Sequence, residues 1–359
     1  MPAYKDKERN TWYCSFYITK NGKRVIKKKR GFETRRSALE FERKYLEQHN
    51  GDLDNMTFES MWELYCEDMK VRLRENTMLT KTYIAKLKIL PYFGNMKLTE
   101  IKATHIRNWQ NELIKQGYKE TYLKTISNQL SAFFNYCVKY HDLGSNPARK
   151  AGSIGKSRAD EMQFYTISEF ETFIKGVSDK PQSEMAFKVL FWTGMRIGEL
   201  MALTYSDIDF ENNIIHITKS YQRLNGKDVI TPPKTPKSVR DITMPETLKN
   251  ELYEYVGRLY GILPDQRIFQ FTKHFLEKEL VRSAKTTGVK RIRAHDMRHS
   301  HATMLIEMGV PILEVRDRLG HEKVETTLNT YGHLYPNKQE GIAQKLELRM
   351  CKSEDEVDG

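Results

Sequence analysis

Four short stretches in the second half of the chain carry side chains suited to work on a phosphodiester. Thr193-Gly194-Met195-Arg196-Ile197-Gly198-Glu199-Leu200 presents one arginine after a glycine turn. Pro233-Lys234-Thr235 presents a lysine, with Ser238 and Arg240 close behind. His295-Asp296-Met297-Arg298-His299 and Leu319-Gly320-His321 follow, and Tyr331 lies ten residues beyond His321. Two arginines can clamp one phosphate through paired N–H donors. Histidine and lysine can move protons, and a tyrosine can attack phosphorus and hold it covalently. Charge grows on the phosphate as a fifth oxygen approaches, and guanidinium groups can stabilise that charge where other enzymes place a metal. No paired carboxylates stand ready for magnesium. His295 and His299 have a metal-like spacing but lack the glutamate that follows the first histidine in zinc peptidases, so no metal and no cofactor are expected. Each stretch alone is ordinary; the ordered set Arg, Lys, His-x-x-Arg, Gly-His, Tyr is specific.

These residues need a scaffold, and the chain from about 164 onward reads as mixed α and β. Ser168-Glu169-Phe170-Glu171 has the form of a capping box. A helix is expected over 184–193, broken by Gly194. Residues 208–210 and 214–218 read as paired strands around Asn212-Asn213. Residues 229–231 and 238–243 read as two more strands, flanking the proline- and lysine-rich run 232–237. Helices resume after Pro245 and continue to about 348.

Two further segments precede this one. Thr11 to Thr19 alternates, with Trp12, Cys14, Phe16 and Ile18 on one face and Tyr13, Ser15 and Tyr17 on the other, as a strand does. Asn21-Gly22 is a hairpin turn signal, Arg24 to Arg30 is the return strand, and Thr34 caps a helix bearing Ala38, Phe41 and Tyr45. Residues 51–147 read as helical. Thr57 caps a stripe of Phe58, Met61, Trp62, Tyr65 and Met69; Tyr83, Leu87 and Leu90 form another that Pro91 stops. Ile106, Trp109 and Leu113 mark a third helix, ending near Gly117, and Leu123, Ile126, Leu130, Phe133, Phe134 and Cys137 a fourth. These stripes are read as core. Asn146-Pro147 ends the unit, and 148–163 reads as a linker.

The composition narrows the function classes. The chain has 359 residues, 59 Lys or Arg against 47 Asp or Glu, and a net charge of +12. Residues 1–50 alone hold 14 Lys or Arg and 6 Asp or Glu, so a net of +8 sits in one-seventh of the chain. Clusters such as Lys23-Arg24-Val25-Ile26-Lys27-Lys28-Lys29-Arg30 bind polyanions by displacing counterions, and a two-stranded ribbon fits a DNA major groove. The last residues, Ser353-Glu354-Asp355-Glu356-Val357-Asp358-Gly359, form an acidic tail. The four cysteines, at 14, 66, 137 and 351, make no Cys-x-x-Cys pair, which argues against a disulfide framework or thiolate zinc site. No apolar run of about 18 residues suggests a membrane span, and Met1-Pro2-Ala3-Tyr4-Lys5-Asp6 opens no apolar signal segment. A soluble, reduced, cytoplasmic protein is expected.

The ordered motifs, with the Gly-Met-Arg-x-Gly-Glu-Leu run and the Leu-Gly-His box, make the chain resemble the tyrosine recombinases, or phage-integrase family, over essentially its whole length. The extra basic sheet at the N-terminus is most similar to that of integrases of conjugative transposons and temperate phages. The resemblance implies three parts: a small three-stranded sheet plus helix (1–50) binding arm-type DNA sites; a helical, SAM-like core-binding domain (51–150); and a mixed α+β catalytic domain (151–350), mostly helical with a small antiparallel sheet, before the acidic tail (351–359). It implies that Arg196 and Arg298 hold the non-bridging oxygens of the scissile phosphate. Tyr331 would attack, giving a 3′-phosphotyrosyl bond and a free 5′-hydroxyl. Lys234, on a β-hairpin, would protonate the leaving oxygen, His295 would act as general acid–base and help to deprotonate the tyrosine, and His321 would hydrogen-bond the phosphate. Glu199 and Asp296 would orient these groups, and Arg24, Lys27, Lys28, Lys29 and Arg30 would contact arm DNA. The implied reaction needs neither metal nor ATP. Four protomers would exchange strands through a Holliday junction, with excisionase and host DNA-bending proteins as further partners on the nucleoid.

Some positions stay open. Tyr335 lies one helical turn beyond Tyr331, and Lys237 competes with Lys234. A stretch after Gly341 bearing Ile342, Leu346 and Leu348 would pack on its own subunit or on a neighbour. Other readings are a type IB topoisomerase-like enzyme, which would have no separate arm module, and a silent DNA-binding protein, which would be expected to lack one of Arg196, Arg298 or Tyr331. An RNA-binding reading of the N-terminal sheet lacks the aromatic signature such sheets carry.

Overall fold

The structure, a computed structural model, describes residues 3–6, 11–20, 23–41, 56–157, 162–233 and 235–332. The chain divides into two compact units, Met1–Asp160 and Glu161–Gly359.

In the first unit, β1 (Ala3–Asp6), β2 (Thr11–Lys20) and β3 (Lys23–Phe32) form an antiparallel sheet in that order. Lys20 pairs with Lys23, so two residues connect the long strands; Asn21 and Gly22 themselves lie outside the described residues. A register shift between Trp12 and Cys14 marks a bulge. Cys14, Ala3 and Ala38 are buried together, with Trp12, Phe32 and Phe41 packed around them. Ala38 and Phe41 belong to helix α1, which begins at residue 35 and is described to 41; Thr34 caps it by accepting from the Ser37 N–H at 3.1 Å. Tyr45 lies outside the described residues.

The helical part comprises α2 (Phe58–Lys70), α3 (Glu75–Ile84), α4 (Leu90–Phe93), α5 (Ala103–Lys115), α6 (Glu120–Tyr140) and α7 (Pro147–Ala151). Its core is a dense aromatic set in which Phe58, Trp62, Phe93, Trp109, Phe133 and Phe134 are all buried. Full burial of such side chains contributes roughly 1.5–3 kcal/mol each. Two expectations fail here. Pro91 does not stop the helix, because α3 passes through a widened π turn, Ala85–Ile89, in which the Leu90 N–H donates to the carbonyl five residues back, at Ala85. The apolar stripe also differs from the expectation: Tyr83 and Leu87 are exposed, while Ile84, Ala85 and Ile89 are buried. Nor does Asn146-Pro147 end the unit. Asn146 caps α7 by accepting from the N–H groups of Ala148 and Arg149, and Ala148 and Ala151 join the core.

The second unit runs α8 (Ile167–Lys175), α9 (Pro181–Thr193), α10 (Ile197–Ala202), β4 (Ile208–Asp209), β5 (Ile214–Ile217), β6 (Ser220–Leu224), β7 (Lys227–Thr231), β8 (Arg240–Thr243), α11 (Glu246–Gly257), α12 (Lys273–Thr287), α13 (Asp296–Glu307), α14 (Ile312–Leu319) and α15 (Val324–Tyr331). Strands β4, β5 and β8 form one antiparallel sheet, and β6–β7 a separate hairpin. The hairpin turns on Asn225 and Gly226, both with positive φ (49° and 79°), the geometry that two-residue turns demand. Strand β6 has no counterpart in the sequence reading. The capping box of α8 starts at Thr166, which accepts from the Glu169 N–H while Glu169 accepts from the Thr166 N–H, two residues before the expected Ser168. Helix α9 runs through the core, with Phe187, Val189, Leu190 and Phe191 buried and Phe191 stacked on Phe170 at 3.8 Å. Among the described residues no helix is long and apolar enough to cross a membrane.

Candidate active site

Two helix ends build the cationic part of the site. Helix α9 stops at Gly194, which takes the left-handed conformation (φ 67°). A side chain there would be strained and its Cβ would lie 2.4 Å from the His301 ring, so glycine is required twice over. The turn leaves the Gly194 carbonyl free to accept from Arg298 Nη1 at 2.8 Å. Two residues on, Arg196 opens α10, whose third helical residue is Glu199; one Glu199 oxygen accepts from the Arg196 backbone N–H (2.9 Å) and the other from its guanidinium (2.7 Å). The Gly-Met-Arg-x-Gly-Glu spacing is thus the spacing of a helix C-cap followed at once by an N-cap. Helix α14 ends in the same way at Gly320 (φ 67°). Its carbonyl accepts from Arg196 Nη2 at 3.2 Å, and that of Leu319 accepts from Arg298 Nη2 at 2.6 Å.

A third arginine completes the cluster. Arg240, at the start of β8, donates to both oxygens of Glu199 (2.9 and 3.3 Å) and to the Arg318 carbonyl (2.8 Å). Glu199 is buried; burial alone would raise its pKa, but Arg240 and Arg196 outweigh this and hold it below the ordinary carboxylate value. Arg298 is buried too, and its hydrogen-bond partners are two neutral carbonyls. Burial first, then Arg196, lowers its pKa from the usual guanidinium value. Two guanidiniums therefore share the Glu199 carboxylate while a third, Arg298, has only neutral partners, and the excess positive charge favours an anion.

The last of the described helices, α15, carries the phenol. Tyr331 is 1% exposed and packs with Ala302, Ile306, Val315 and Leu319. Its hydroxyl lies 2.6 Å from Nδ1 of His299. Burial pushes its pKa up to about 12, with Arg298 pulling the other way, so the phenol keeps its proton at neutral pH. The His295 ring stands edge-on to His299 with centroids 5.2 Å apart, and its pKa is lowered by desolvation, then by His299 and Arg298. His321 bonds Thr327 Oγ1 through Nδ1 at 2.9 Å. Burial, then Arg298, Arg196 and Arg240, drives its pKa down to about 3, so it acts as a neutral imidazole. Those same neighbours place His321 beside all three arginines.

Comparisons with known proteins agree with this geometry. Residues 162–338 match the phage integrase family, 57–114 its N-terminal SAM-like domain, and 2–48 an arm DNA-binding domain. The ICEBs1 integrase of Bacillus subtilis is 31% identical over 337 residues, which cover 88% of this chain and 90% of that protein. The chain belongs to the phage integrase family of tyrosine recombinases. A XerC-like tyrosine recombinase of Caldanaerobacter subterraneus is 28% identical over 70% of this chain and 72% of its own. In fold, the chain matches the Tn1549 transposon integrase in complex with a circular intermediate DNA, with a TM-score of 0.69 at 21% identity, over 82% of this chain and all of that one. As a tyrosine recombinase it is a site-specific DNA recombinase that acts through a covalent tyrosine–DNA intermediate, with neither metal nor ATP.

The recombinase fold brings together Arg196, Glu199, Arg298, His321, His295 and Tyr331. Lys234 and Tyr335 lie outside the described residues, as do the stretch after Gly341 and the acidic tail. Asp296 is buried and its carboxylate is taken by Arg293, through the backbone N–H (2.8 Å) and Nη2 (2.7 Å), which fixes the entry to α13. In the N-terminal sheet, Lys28 sits over the Tyr13 ring at 4.1 Å, with Arg30 at 5.8 Å, whereas Lys29 pairs across the strands with buried Cys14. Alternation along β3 thus divides the basic run between two faces, Lys27 and Lys29 falling on the other one; Arg24 pairs with Thr19. Sequence reasoning assigned no role to Arg240 or His299, and did not notice His301 and Arg318. The signal for His299 was present, since four residues along a helix returns to the face of His295.

His301 has a structural role with a pH consequence. Arg318 Nε donates to its Nε2 at 2.9 Å, so Nδ1 must carry the proton and donate to the Phe191 carbonyl at 2.8 Å. Burial, then Arg318, pushes its pKa down to about 3. His301 and His321 are therefore neutral when folded, whereas the unfolded chain protonates its histidines near pH 6.5. The stability this confers is complete above about pH 6.5 and is lost as pH falls toward the folded values. We expect the thermal midpoint of the full chain, followed by circular dichroism, to fall steadily from pH 7 to pH 4; a midpoint that stays level across that interval would contradict the assignment.

Proposed function

We propose that this tyrosine recombinase is the integrase of a mobile element, inserting and excising it at defined DNA sites. What carries the reading is the cluster of three guanidiniums around a single carboxylate that pairs with two of them, beside a buried phenol already paired with an imidazole. Arg196 and Arg298 hold the non-bridging oxygens of the scissile phosphate. Tyr331 Oη attacks phosphorus, the bond to the 5′-oxygen breaks, and Lys234 supplies that oxygen with a proton. His321, whose Nδ1 is occupied by Thr327, offers Nε2 to the phosphate. His295 exchanges protons at the mouth of the site, and Glu199 locks Arg196 and Arg240 in place. A 5′-hydroxyl from a partner strand then reverses the chemistry on the phosphotyrosine.

The division of labour follows the same reading. Residues 1–50 bind arm-type sites, with Lys28 and Arg30 as backbone contacts; 51–150 bind the core site; 151–350 cut and join; 351–359 form the tail. Four copies assemble on double-stranded DNA and pass through a Holliday junction, with an excisionase and host DNA-bending proteins setting direction. The ICEBs1 and Tn1549 integrases, by their names, serve mobile elements, which supports this assignment.

The test is incubation with nicked suicide duplexes built from candidate element ends, with and without excess EDTA. A covalent protein–DNA adduct of equal yield in both arms is expected, because side chains neutralise the phosphate. Loss of the adduct on chelation, with recovery on adding magnesium, would overturn it, as would failure to form adducts on element ends that are demonstrably exchanged in cells.

A further inference from the structure

The imidazole that touches the Tyr331 hydroxyl is that of His299, and sequence reasoning gave it no part in the reaction. We infer that His299 is the proton acceptor for the nucleophile, a catalytic residue in addition to those named above; the inference rests on the recombinase reading of the site. The two atoms are 2.6 Å apart, within the range of a direct proton transfer. The direction of the bond follows from its ends. The phenol holds its proton at neutral pH because it is buried. His299 is also held neutral, its pKa lowered by burial first, with Asp296 opposing and Arg293 and Arg298 assisting. In a neutral imidazole one nitrogen accepts, so Tyr331 Oη–H donates to Nδ1, and Nε2 carries the ring proton.

The step balances as written. As Oη bonds to phosphorus, its proton passes to Nδ1 and His299 becomes an imidazolium; the P–O5′ bond breaks and the departing 5′-oxygen takes its proton from lysine. In rejoining, the 5′-hydroxyl attacks and gives its proton back to the lysine, the phenolate leaves, and His299 returns the proton it holds to that phenolate. The acceptor need not leave the site between the two halves, because it stays hydrogen-bonded to the same oxygen. The His295 ring stands edge-on to that of His299, with centroids 5.2 Å apart. Beside burial, Asp296 and Arg298 on its own helix and Arg293 in the approach to that helix shift the proton affinity of His299; the other titratable groups facing it are His295, Tyr331 on α15 and His321 in the turn before α15.

A mere hydrogen-bond partner would give the same static picture, and the choice of variant separates the two roles. His299→Asn keeps an amide oxygen close to the position of Nδ1, so it can still accept the phenol's hydrogen bond, but it cannot take the proton. His299→Ala removes both. On a nicked suicide duplex that the wild type cuts, with DNA binding measured in parallel as a check on folding, both variants should bind normally and form the covalent adduct about a hundredfold more slowly or worse. Their rates should also climb with pH toward the phenol's own ionisation, tenfold per unit, where the wild-type rate has levelled off. His299→Asn forming the adduct within about threefold of the wild-type rate, or keeping the wild-type pH profile, would overturn the inference. Absence of adduct with the wild type would instead count against the recombinase reading itself.

Discussion

Replacing Tyr331 with phenylalanine should leave a protein that folds, binds its core DNA with nearly wild-type affinity, and forms no covalent adduct at all. The effect is complete because no other atom supplies the nucleophile: the substitution deletes the one oxygen that becomes bonded to phosphorus. The structural cost is small by comparison. The ring stays packed against Ala302, Ile306, Val315 and Leu319, and what is lost is one hydrogen bond to His299, worth about 1 kcal/mol. Suicide-substrate trapping followed by peptide mapping reads the result directly. An adduct formed by the variant and mapped to Tyr335 would move the nucleophile one helical turn along.

The second large effect is expected at Arg298. Its guanidinium is held by two carbonyls at once, Gly194 and Leu319, in a fork that a single ammonium cannot reproduce. Arg298→Ala should slow cleavage by about a thousandfold, the scale of losing a preorganised donor to a developing oxyanion. Arg298→Lys should recover only a minor part of that. Binding to core DNA should weaken slightly and lose about one unit of salt slope, since one phosphate contact in many is removed. The thermal midpoint should move little. Two carbonyls lose their donor, but the repulsion of Arg298 with Arg196 and Arg240 is relieved. Cleavage by Arg298→Lys within tenfold of the wild type would show that a point charge suffices there.

The parts of the site legible in the sequence were those whose spacing is local. Gly194, Arg196 and Glu199 lie within one C-cap and the N-cap that follows it, so their geometry is contained in six residues. The same holds for Gly320 and His321. Contacts made across the fold were not legible. Arg240 meets Glu199 across 41 positions and Arg318 across 78, and no local pattern encodes either partner. His299 could have been found by its helical spacing from His295, but was considered only as a metal ligand. The fold errors have similar causes. The Asn225-Gly226 pair carries the turn signal that located the first hairpin at Asn21-Gly22, yet the polar strand Ser220–Leu224 before it hid the hairpin. The stripe expected at Tyr83 and Leu87 is displaced by one position, the core taking Ile84, Ala85 and Ile89 instead, because an exposed tyrosine and leucine at helical spacing look the same in sequence as buried ones.

The closed setting of Tyr331 bears on how long a cut can last. At 1% exposure the phenol oxygen is beyond the reach of bulk water. A phosphorus atom joined to that oxygen, with its remaining oxygens among the arginines and the neutral His321 ring, inherits the same shelter. A severed strand is then held for a sugar hydroxyl that arrives in register instead of being lost to hydrolysis, and the break can wait for its partner without leaving a nick in the chromosome.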